Sequence, residues 1–265
     1  MVIGDWEILV YKEEKSMETN VIELLEREQP MFHLKSLTQE VPNAENFFFK
    51  RGTTETQEFS RTFYTIGKDV LNYIASIVKP DYVTLETGGG YSTVVFATNA
   101  KEHICVNPDI TANQLVKDWL RDRGYTCDNL YFIEDSSDRG LAKLALSKSS
   151  ESIDVALIDG SHSFPFPIVD WHFIDLFLKA GGKLLVDDTQ INSVKILSDF
   201  LLLEPSYKKI AEIGKCIVFE KTSDARAMGW LDQEINKRPL TGFSEPEVAR
   251  KINPFKAFLQ RIGIL

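Results

Sequence analysis

The sequence has few cysteines. Its 265 residues include three, Cys105, Cys127 and Cys216, and no two of them have CxxC spacing. An odd number of widely separated thiols does not make a disulfide scaffold, and structural zinc sites use close pairs of ligands. The three residues are therefore interpreted as buried thiols of a protein from a reducing compartment, and the expected location is the cytoplasm.

Long apolar runs are also absent. No stretch reaches the roughly 18 apolar residues that a membrane-spanning helix needs. The first 14 residues contain four acidic side chains and lack the basic start and apolar centre of a signal peptide. The sequence therefore predicts a chain with no membrane span and no secretion signal.

The chain has no excess of positive charge. Lys and Arg number 30 and Asp and Glu number 39, which gives a net charge of −9 at pH 7. Such a field repels phosphate, so a nucleic acid or an anionic membrane surface is not the expected partner. The acidity is concentrated in residues 81–220, with 21 acidic and 13 basic side chains, and solubility is the first explanation for it.

What the sequence does contain is an alternation of helix and strand patterns. Short apolar strands are predicted at residues 82–85, 103–106, 130–133, 155–158 and 183–186. Helical spacing of apolar residues fills the intervals, and Thr111 is the predicted cap of one helix. Residues 208–213 and 216–221 predict a β-hairpin around Gly214-Lys215.

This order of elements predicts an α/β fold. We expect a doubly wound, Rossmann-like sheet of about seven strands, mostly parallel, with a C-terminal antiparallel hairpin and helices on both faces. Residues 65–221 form the predicted sheet domain, preceded by a helical and loop extension at residues 1–64. Residues 222–265 are predicted to be a helical cap, with a partner-binding or membrane-surface helix as the alternative. The apolar ends could also bury a homodimer interface.

Polar residues follow the first three predicted strands, at the carboxyl ends where open α/β sheets bind ligands. They are Glu86-Thr87-Gly88-Gly89-Gly90-Tyr91-Ser92, then Asn107-Pro108-Asp109, then Asp135-Ser136. Glycines let backbone N–H groups approach a ligand, and the polar side chains suit ribose hydroxyls or an adenine amino group. A tight turn, an Asn-Pro turn and a helix cap are the alternatives. Thr93 replaces the last glycine of GxGxxG, which disfavours a dinucleotide.

The fourth and fifth predicted strands end in charged residues, Asp159-Gly160-Ser161-His162 and Asp187-Asp188-Thr189. Adjacent carboxylates repel each other unless a proton or a cation relieves them. Asp159, Asp187 and Asp188 together could bind Mg²⁺ or another divalent cation. Alternatively, one aspartate caps the next helix and no metal binds.

Residues 65–221 resemble the class I S-adenosylmethionine-dependent methyltransferases. The features that carry the resemblance are Glu86-x-Gly88-x-Gly90, Asp135, Asp159, Gly181-Gly182 and the closing hairpin. Ile158-Asp159-Gly160-Ser161-His162, with Asp170 and Asp187-Asp188-Thr189, is similar to one branch of that family. The branch comprises small-molecule O-methyltransferases, acting on sugars, other natural products and catechols. Asn107 departs from the acidic ribose ligand of the family, and Ser92 from a further glycine.

The resemblance implies S-adenosylmethionine as cofactor and a small-molecule acceptor that is methylated on a hydroxyl oxygen. The implied cofactor-binding residues are Glu86, Thr87, Gly88, Gly90, Tyr91, Ser92, Asn107, Asp109, Asp135, Ser136 and Asp159. A divalent metal at Asp159, Asp187 and Asp188 would lower the pKa of the acceptor hydroxyl. Without a metal, His162 is the candidate base, with Asp159 beside it, because a pKa near 6.5 suits proton abstraction.

The acceptor site is expected between residues 1–64 and the loop after His162. Its candidate walls are the aromatic residues Phe47–Phe49, Phe164, Phe166 and Trp171, with core packing as the alternative role for each. Three other functions stay open. They are an N-methyltransferase on the same fold, a nicotinamide-dependent oxidoreductase, and a nucleoside-binding protein without catalysis.

Overall fold

The computed structural model describes residues 20–30, 32, 66–223, 231 and 233–237. The chain divides into two compact units, Met1–Asp224 and Ala225–Leu265. Among the described residues, no helix has the length and apolar character needed to cross a membrane.

Seven strands form one sheet in the first unit. They are β1 (Val83–Thr87), β2 (Glu102–Val106), β3 (Leu130–Ile133), β4 (Ile153–Ile158), β5 (Leu178–Val186), β6 (Tyr207–Ile213) and β7 (Cys216–Lys221). Their order across the sheet is β3-β2-β1-β4-β5-β7-β6, and β7 is antiparallel to both of its neighbours. The strand order reverses between β1 and β4, which defines the switch point of the sheet.

Helices connect the strands. In the first unit they are α1 (Val21–Glu28), α2 (Lys68–Ile77), α3 (Tyr91–Asn99), α4 (Ile110–Arg121), α5 (Ser137–Ala145), α6 (Phe166–Phe177) and α7 (Asn192–Leu201). The described part of the second unit contains one short helix, α8 (Glu234–Lys237).

Two apolar cores cover the two faces of the sheet. One joins α1–α4 to the sheet and includes Phe96 and Leu157; the other joins α5–α7 to the sheet and includes Phe177 and Phe219. Burial on both faces explains why the central strands are almost continuously apolar. Buried polar side chains inside the central strands are exceptions, and two of them, Glu86 and Thr87, lie at the carboxyl end of β1.

The predicted α/β class and the closing hairpin are confirmed. Several predicted boundaries are wrong. β1 runs to Thr87 and therefore includes Glu86 and Thr87, which were predicted to follow the strand. The helix predicted to be capped at Thr111 begins two residues earlier than that cap implies, at Ile110, because the carboxylate of Asp109 accepts a hydrogen bond from the N–H of Ala112 at 3.0 Å and caps it instead. β5 begins at Leu178, where it already pairs with Ile153 of β4 before the register shifts.

Several predictions concern residues outside the described ranges. They include the acceptor-site role of residues 1–64 over most of that range, with Phe47–Phe49, and the helical cap over most of residues 222–265.

Candidate functional site

The carboxyl ends of four parallel strands lie side by side at one edge of the sheet. Thr87 of β1 is paired with Val106 of β2 and with Ile158 of β4, and Ile158 is paired with Val186 of β5. The residues that follow these positions are therefore brought together around the switch point. This is the place where open α/β sheets bind their ligands.

The loop after β1 is packed tightly against both neighbouring strand ends. Gly88 has a φ of +81°, and a Cβ on it would lie 2.2 Å from the backbone oxygen of Asp159. A Cβ on Gly89 would lie 2.9 Å from Nδ2 of Asn107. The loop Gly88–Gly90 thus forms a cradle of backbone atoms without side chains, and its close approach to the two neighbouring strand ends depends on glycine.

Glu86 is fully buried below this loop. Its Oε1 accepts a hydrogen bond from the hydroxyl of Thr93 and lies 3.1 Å from Nε2 of His103. Nδ1 of His103 lies 2.8 Å from Oγ1 of Thr84. Oε2 of Glu86 has no hydrogen-bond partner among the described residues. His103 is not among the predicted site residues, although an ionisable residue inside an apolar strand was a signal that could have found it.

The two predicted ribose ligands after β2 are held by contacts with α4. Nδ2 of Asn107 donates to Oδ1 of Asn113 at 2.8 Å, and Nδ2 of Asn113 donates to the backbone oxygen of Asn107 at 3.1 Å. Asp109 caps the same helix. Both residues lie at the predicted edge of the sheet, in positions fixed by the start of α4.

After β3, Asp135 and Ser136 lead into α5. Asp135 accepts hydrogen bonds from the N–H of Ser136 at 2.9 Å and from Nζ of Lys143 at 2.7 Å. The bond from Lys143 lowers the pKa of Asp135 below its usual value. Oγ of Ser136 is buried and has no partner among the described residues, so a bound ligand could satisfy it.

Tyr91 and Ser92 open α3 directly behind the glycine-rich loop. The hydroxyl of Tyr91 donates to the backbone oxygen of Pro30 at 3.2 Å, and its ring meets Phe32 edge-on with centroids 5.7 Å apart. Ser92 is buried. These two side chains serve the packing of the helix, whereas first-turn N–H groups have no partner within a helix and can face a ligand.

His162 lies between two carboxylates where β4 and β5 end. Its Nε2 is 3.2 Å from Oδ2 of Asp188 and 3.7 Å from Oδ1 of Asp159. Asp188 has a φ of +57°, in the left-handed region that aspartate tolerates better than most residues. Asp187 is 1% exposed, and its Oδ1 has no hydrogen-bond partner among the described residues.

Lys215, in the turn between β6 and β7, is a residue that the sequence analysis missed. Its Nζ lies 2.6 Å from Oδ1 of Asp188 and 3.7 Å from Oδ2 of Asp187. Because β7 runs antiparallel to β5, the hairpin turn lies beside the carboxyl end of β5. The predicted hairpin, together with the antiparallel pairing of its second strand with β5, was therefore a signal that could have identified Lys215.

The ionisable groups shift each other's pKa values. Asp159, followed by other nearby carboxylates, raises the pKa of His162 above 6.5 against the effect of burial. Burial raises the pKa of Asp159, and burial followed by repulsion from Asp159 raises that of Asp187 to about 6. Burial by itself raises the pKa of Asp188. Hydrogen bonds, first of all the one from Lys215, outweigh this effect and lower the pKa below its usual value.

The predicted metal ligands were Asp159, Asp187 and Asp188. Of the described residues, Asp159, His162 and Asp188 each place one ligand atom within 4.8 Å of the others, a spacing compatible with one cation. However, the ammonium group of Lys215 already contacts two of the predicted ligands and would repel a divalent cation placed there. This arrangement therefore does not fit a resident divalent metal.

A second buried carboxyl group lies close to the same strand ends. Asp170 of α6 is fully buried, and neither of its oxygens has a hydrogen-bond partner that meets ordinary geometry among the described residues. The Cβ position at Gly160 is 3.1 Å from Oγ1 of Thr87 and 3.4 Å from Oδ2 of Asp170. Burial raises the pKa of Asp170 to about 6, with the hydroxyls of Ser137 and Thr87 acting in the opposite direction.

Replacement of Asp170 by asparagine is expected to stabilise the protein above pH 7. The pKa of Asp170 is about 6 in the folded protein and 3.8 in the unfolded chain. The contribution of this carboxyl group to stability is therefore complete below pH 3.8 and is lost as the pH rises through 6. The difference is about 3 kcal/mol in the free energy of unfolding. Urea denaturation of wild type and Asp170→Asn between pH 4 and pH 8 measures it.

Asp118→Asn is the control for that comparison, because Asp118 is half exposed and its ion pair with Arg121 contributes little. A pH dependence that is the same in wild type and Asp170→Asn would contradict the buried, neutral state of Asp170.

The predicted aromatic walls differ in exposure. Phe164 is 64% exposed two residues after His162, and Phe166 is half buried at the start of α6. Trp171 packs edge-on against Phe200 of α7 with ring centroids 5.0 Å apart. Phe164 is therefore the candidate that could contact an acceptor, and Trp171 contributes to the core.

Comparison with known proteins agrees with this arrangement. Residues 85–189, which run from β1 to the turn after β5, match a family model described as a methyltransferase domain. The match supports a class I S-adenosylmethionine-dependent methyltransferase domain in this part of the chain. It covers less than half of the residues and does not distinguish the O-methyltransferase branch. No curated protein sequence gives a significant match.

Solved structures of methyltransferases resemble the chain in fold. A methyltransferase from Geobacter sulfurreducens is 14% identical with a TM-score of 0.50, over 61% of this chain and 83% of that one. An rRNA methylase from Streptococcus thermophilus is 15% identical with a TM-score of 0.47, over 59% of this chain and 96% of that one. A putative methyltransferase from Streptococcus mutans in complex with SAH is 14% identical with a TM-score of 0.45, over 59% and 99%. Identities this low concern the fold alone.

Proposed function

We propose that the protein transfers the methyl group of S-adenosylmethionine to a hydroxyl oxygen of a small molecule. One observation carries this proposal. The Gly88 loop, where the cofactor would bind, is in direct backbone contact with Asp159, three residues before His162. Cofactor cradle and candidate base therefore lie at one edge of the sheet, where a bound cofactor and a bound acceptor would be held next to each other.

The residues of the cradle fit such a cofactor. Oε2 of Glu86, Oγ1 of Thr87 and Oγ of Ser136 are buried polar atoms without a hydrogen-bond partner among the described residues. Buried polar groups are normally satisfied, so these atoms are candidates for contact with a polar ligand or its bound water. The N–H groups at the start of α3 and the glycine-rich loop supply further donors.

Asn107 and Asp109 are the proposed partners of the ribose, and Asp135 of the adenine amino group. Asn107 would bind a hydroxyl without charge assistance, which makes a weaker contact than a carboxylate would. The remaining residues of the proposed cofactor site are Glu86, Thr87, Gly88, Gly90, Tyr91, Ser92, Ser136 and Asp159.

S-adenosylmethionine, when bound, supplies a methyl group on a sulfonium leaving group. Held by the loop after β1, it would offer its methyl carbon to the acceptor oxygen, with the neutral sulfide as leaving group. The imidazole of His162 accepts the proton of the acceptor hydroxyl. Asp159 and Asp188, whose carboxylates lie within 3.7 Å of Nε2, stabilise the imidazolium that forms.

A small acceptor is favoured over a nucleic acid by charge. The net charge of −9 and the acidic residues around the proposed base repel phosphate groups. Phe164, exposed near His162, is a surface on which an apolar or aromatic part of the acceptor could pack.

Isothermal titration calorimetry with S-adenosylmethionine and S-adenosylhomocysteine tests the cofactor. We expect dissociation constants on the order of micromolar, about −8 kcal/mol. NADH serves as the control ligand and is expected to give no heat of binding, because Thr93 replaces the last glycine of the dinucleotide motif. Folded protein that binds neither sulfur compound would refute the proposal, and binding of NADH instead would indicate an oxidoreductase. Binding without methyl transfer to any acceptor would indicate a nucleoside-binding protein.

A further inference from the structure

The backbone of Lys215 is hydrogen-bonded to the loop that follows β5. Its backbone oxygen accepts hydrogen bonds from both the N–H and the hydroxyl of Thr189, at 3.0 and 2.8 Å. Thr189 immediately follows Asp187 and Asp188, so these two bonds connect the hairpin turn to the loop that carries the carboxylates. The ammonium group contacts Asp188 at 2.6 Å and Asp187 at 3.7 Å.

The neighbouring carboxylates need a proton or a cation. Asp159, Asp187 and Asp188 lie at adjacent strand ends, and carboxylates this close repel one another unless one of the two offsets the repulsion. Lys215 provides a full positive charge on a side chain that is 37% exposed and contacts the aspartates from the hairpin side. A metal ion at the same carboxylates would compete with an ammonium group already covalently attached to the chain.

We propose that Lys215 is the fixed cation of this site and takes the place of a divalent metal. Two strands bring it there: β5 supplies the carboxylates, and β7, antiparallel to β5, begins at the residue after Lys215. The sheet topology thus supplies a positive charge at the point where an acceptor hydroxyl would be deprotonated. The part of this inference that concerns the acceptor rests on the proposed function, whereas the exclusion of a metal does not.

The experiment measures binding of Mn²⁺ alone, followed by electron paramagnetic resonance of the free ion, with no cofactor and no acceptor present. The variants are Lys215→Met, which keeps the length of the side chain without its charge, and Lys215→Gln. The matched control is Lys209→Met on β6 of the same hairpin, where Lys209 pairs with Glu212 at the surface. Circular dichroism and thermal unfolding establish that each variant is folded.

We expect Lys215→Met and Lys215→Gln to bind Mn²⁺ at least about tenfold more tightly than the wild type, because a unit charge is removed within a few ångströms of the ion. Lys209→Met is expected to bind like the wild type. Adding Asp188→Asn to Lys215→Met is expected to abolish the gain, which places the ion at these carboxylates.

If Lys215→Met and Lys215→Gln bind Mn²⁺ no more tightly than the wild type, the proposal is overturned. This holds whether the wild type and both variants bind the ion or none of the three does. The same holds if the gain survives Asp188→Asn. A failure of S-adenosylhomocysteine to bind would refute the proposed function and leave the Mn²⁺ result standing, so the two proposals can fail separately.

Discussion

A Gly88→Ala variant is expected to lose at least about 100-fold in affinity for S-adenosylhomocysteine, or about 2.7 kcal/mol of binding free energy. Alanine would have to adopt a φ of +81°, and its Cβ would lie 2.2 Å from the backbone oxygen of Asp159. The left-handed conformation costs about 1–2 kcal/mol by itself. The contact with a backbone atom can be relieved only if the ends of β1 and β4 move apart, which opens the cofactor cradle.

Gly124→Ala is the matched control for Gly88→Ala. Gly124 follows α4 with a φ of +77°, and no atom lies within 4 Å of its Cβ position. Gly124→Ala therefore has the conformational cost of a positive φ but not the steric clash of Gly88→Ala. Urea denaturation and calorimetry of both variants separate the two effects. Equal affinity of Gly88→Ala and wild type for S-adenosylhomocysteine would show that the close contact with Asp159 does not shape the cofactor site.

Replacement of His162 by glutamine is expected to lower kcat for methyl transfer by about 10²- to 10⁴-fold, the range that positioned proton transfer typically contributes. The affinity for S-adenosylhomocysteine is expected to stay within about twofold of the wild type, because the cofactor residues are unchanged. A panel of hydroxyl acceptors, assayed by the S-adenosylhomocysteine produced, gives the rate.

The pH dependence distinguishes a base from a structural residue. Because Asp159 and the neighbouring carboxylates raise the pKa of His162, the rate of the wild type is expected to rise with pH through a value above 6.5. His162→Gln is expected to lose that step. His172→Gln, an exposed histidine of α6, is the control and is expected to keep both the rate and the profile. A full rate in His162→Gln would remove His162 from the reaction.

Much of the fold could be predicted because its signals are local. The apolar spacing that predicts a helix before Pro80 and the short apolar strands from residue 82 onward are properties of neighbouring residues. The hairpin around Gly214-Lys215 is equally local, and all of these elements are present in the structure. The error at the start of α4 also has a local cause, since Asp109 and Thr111 are both acceptable helix caps and the sequence does not rank them. The error at the start of β5 does not, because Leu178 is placed by its pairing with Ile153 of β4.

The candidate site was predicted in part for the same reason. Residues directly after a strand must lie at its carboxyl end, so the places of Asp159 and His162 follow once the strands are parallel. The direction in which each carboxylate points does not follow. The structure directs Asp188 toward His162 through a positive φ, and directs Asp187 toward Lys215.

The sequence by itself determined the α/β class, the glycine-rich turn and the set of charged residues at the strand ends, because each depends on residues close together in the chain. Only the tertiary structure decided which charges meet. The pairing of β7 with β5 brings Lys215 to Asp188 across 27 positions, and the alternation of faces in β1 and β2 brings His103 to Glu86 across 17. Such contacts depend on strand order and register, which long-range packing of the two cores selects. That packing places a lysine beside part of the acidity of residues 81–220.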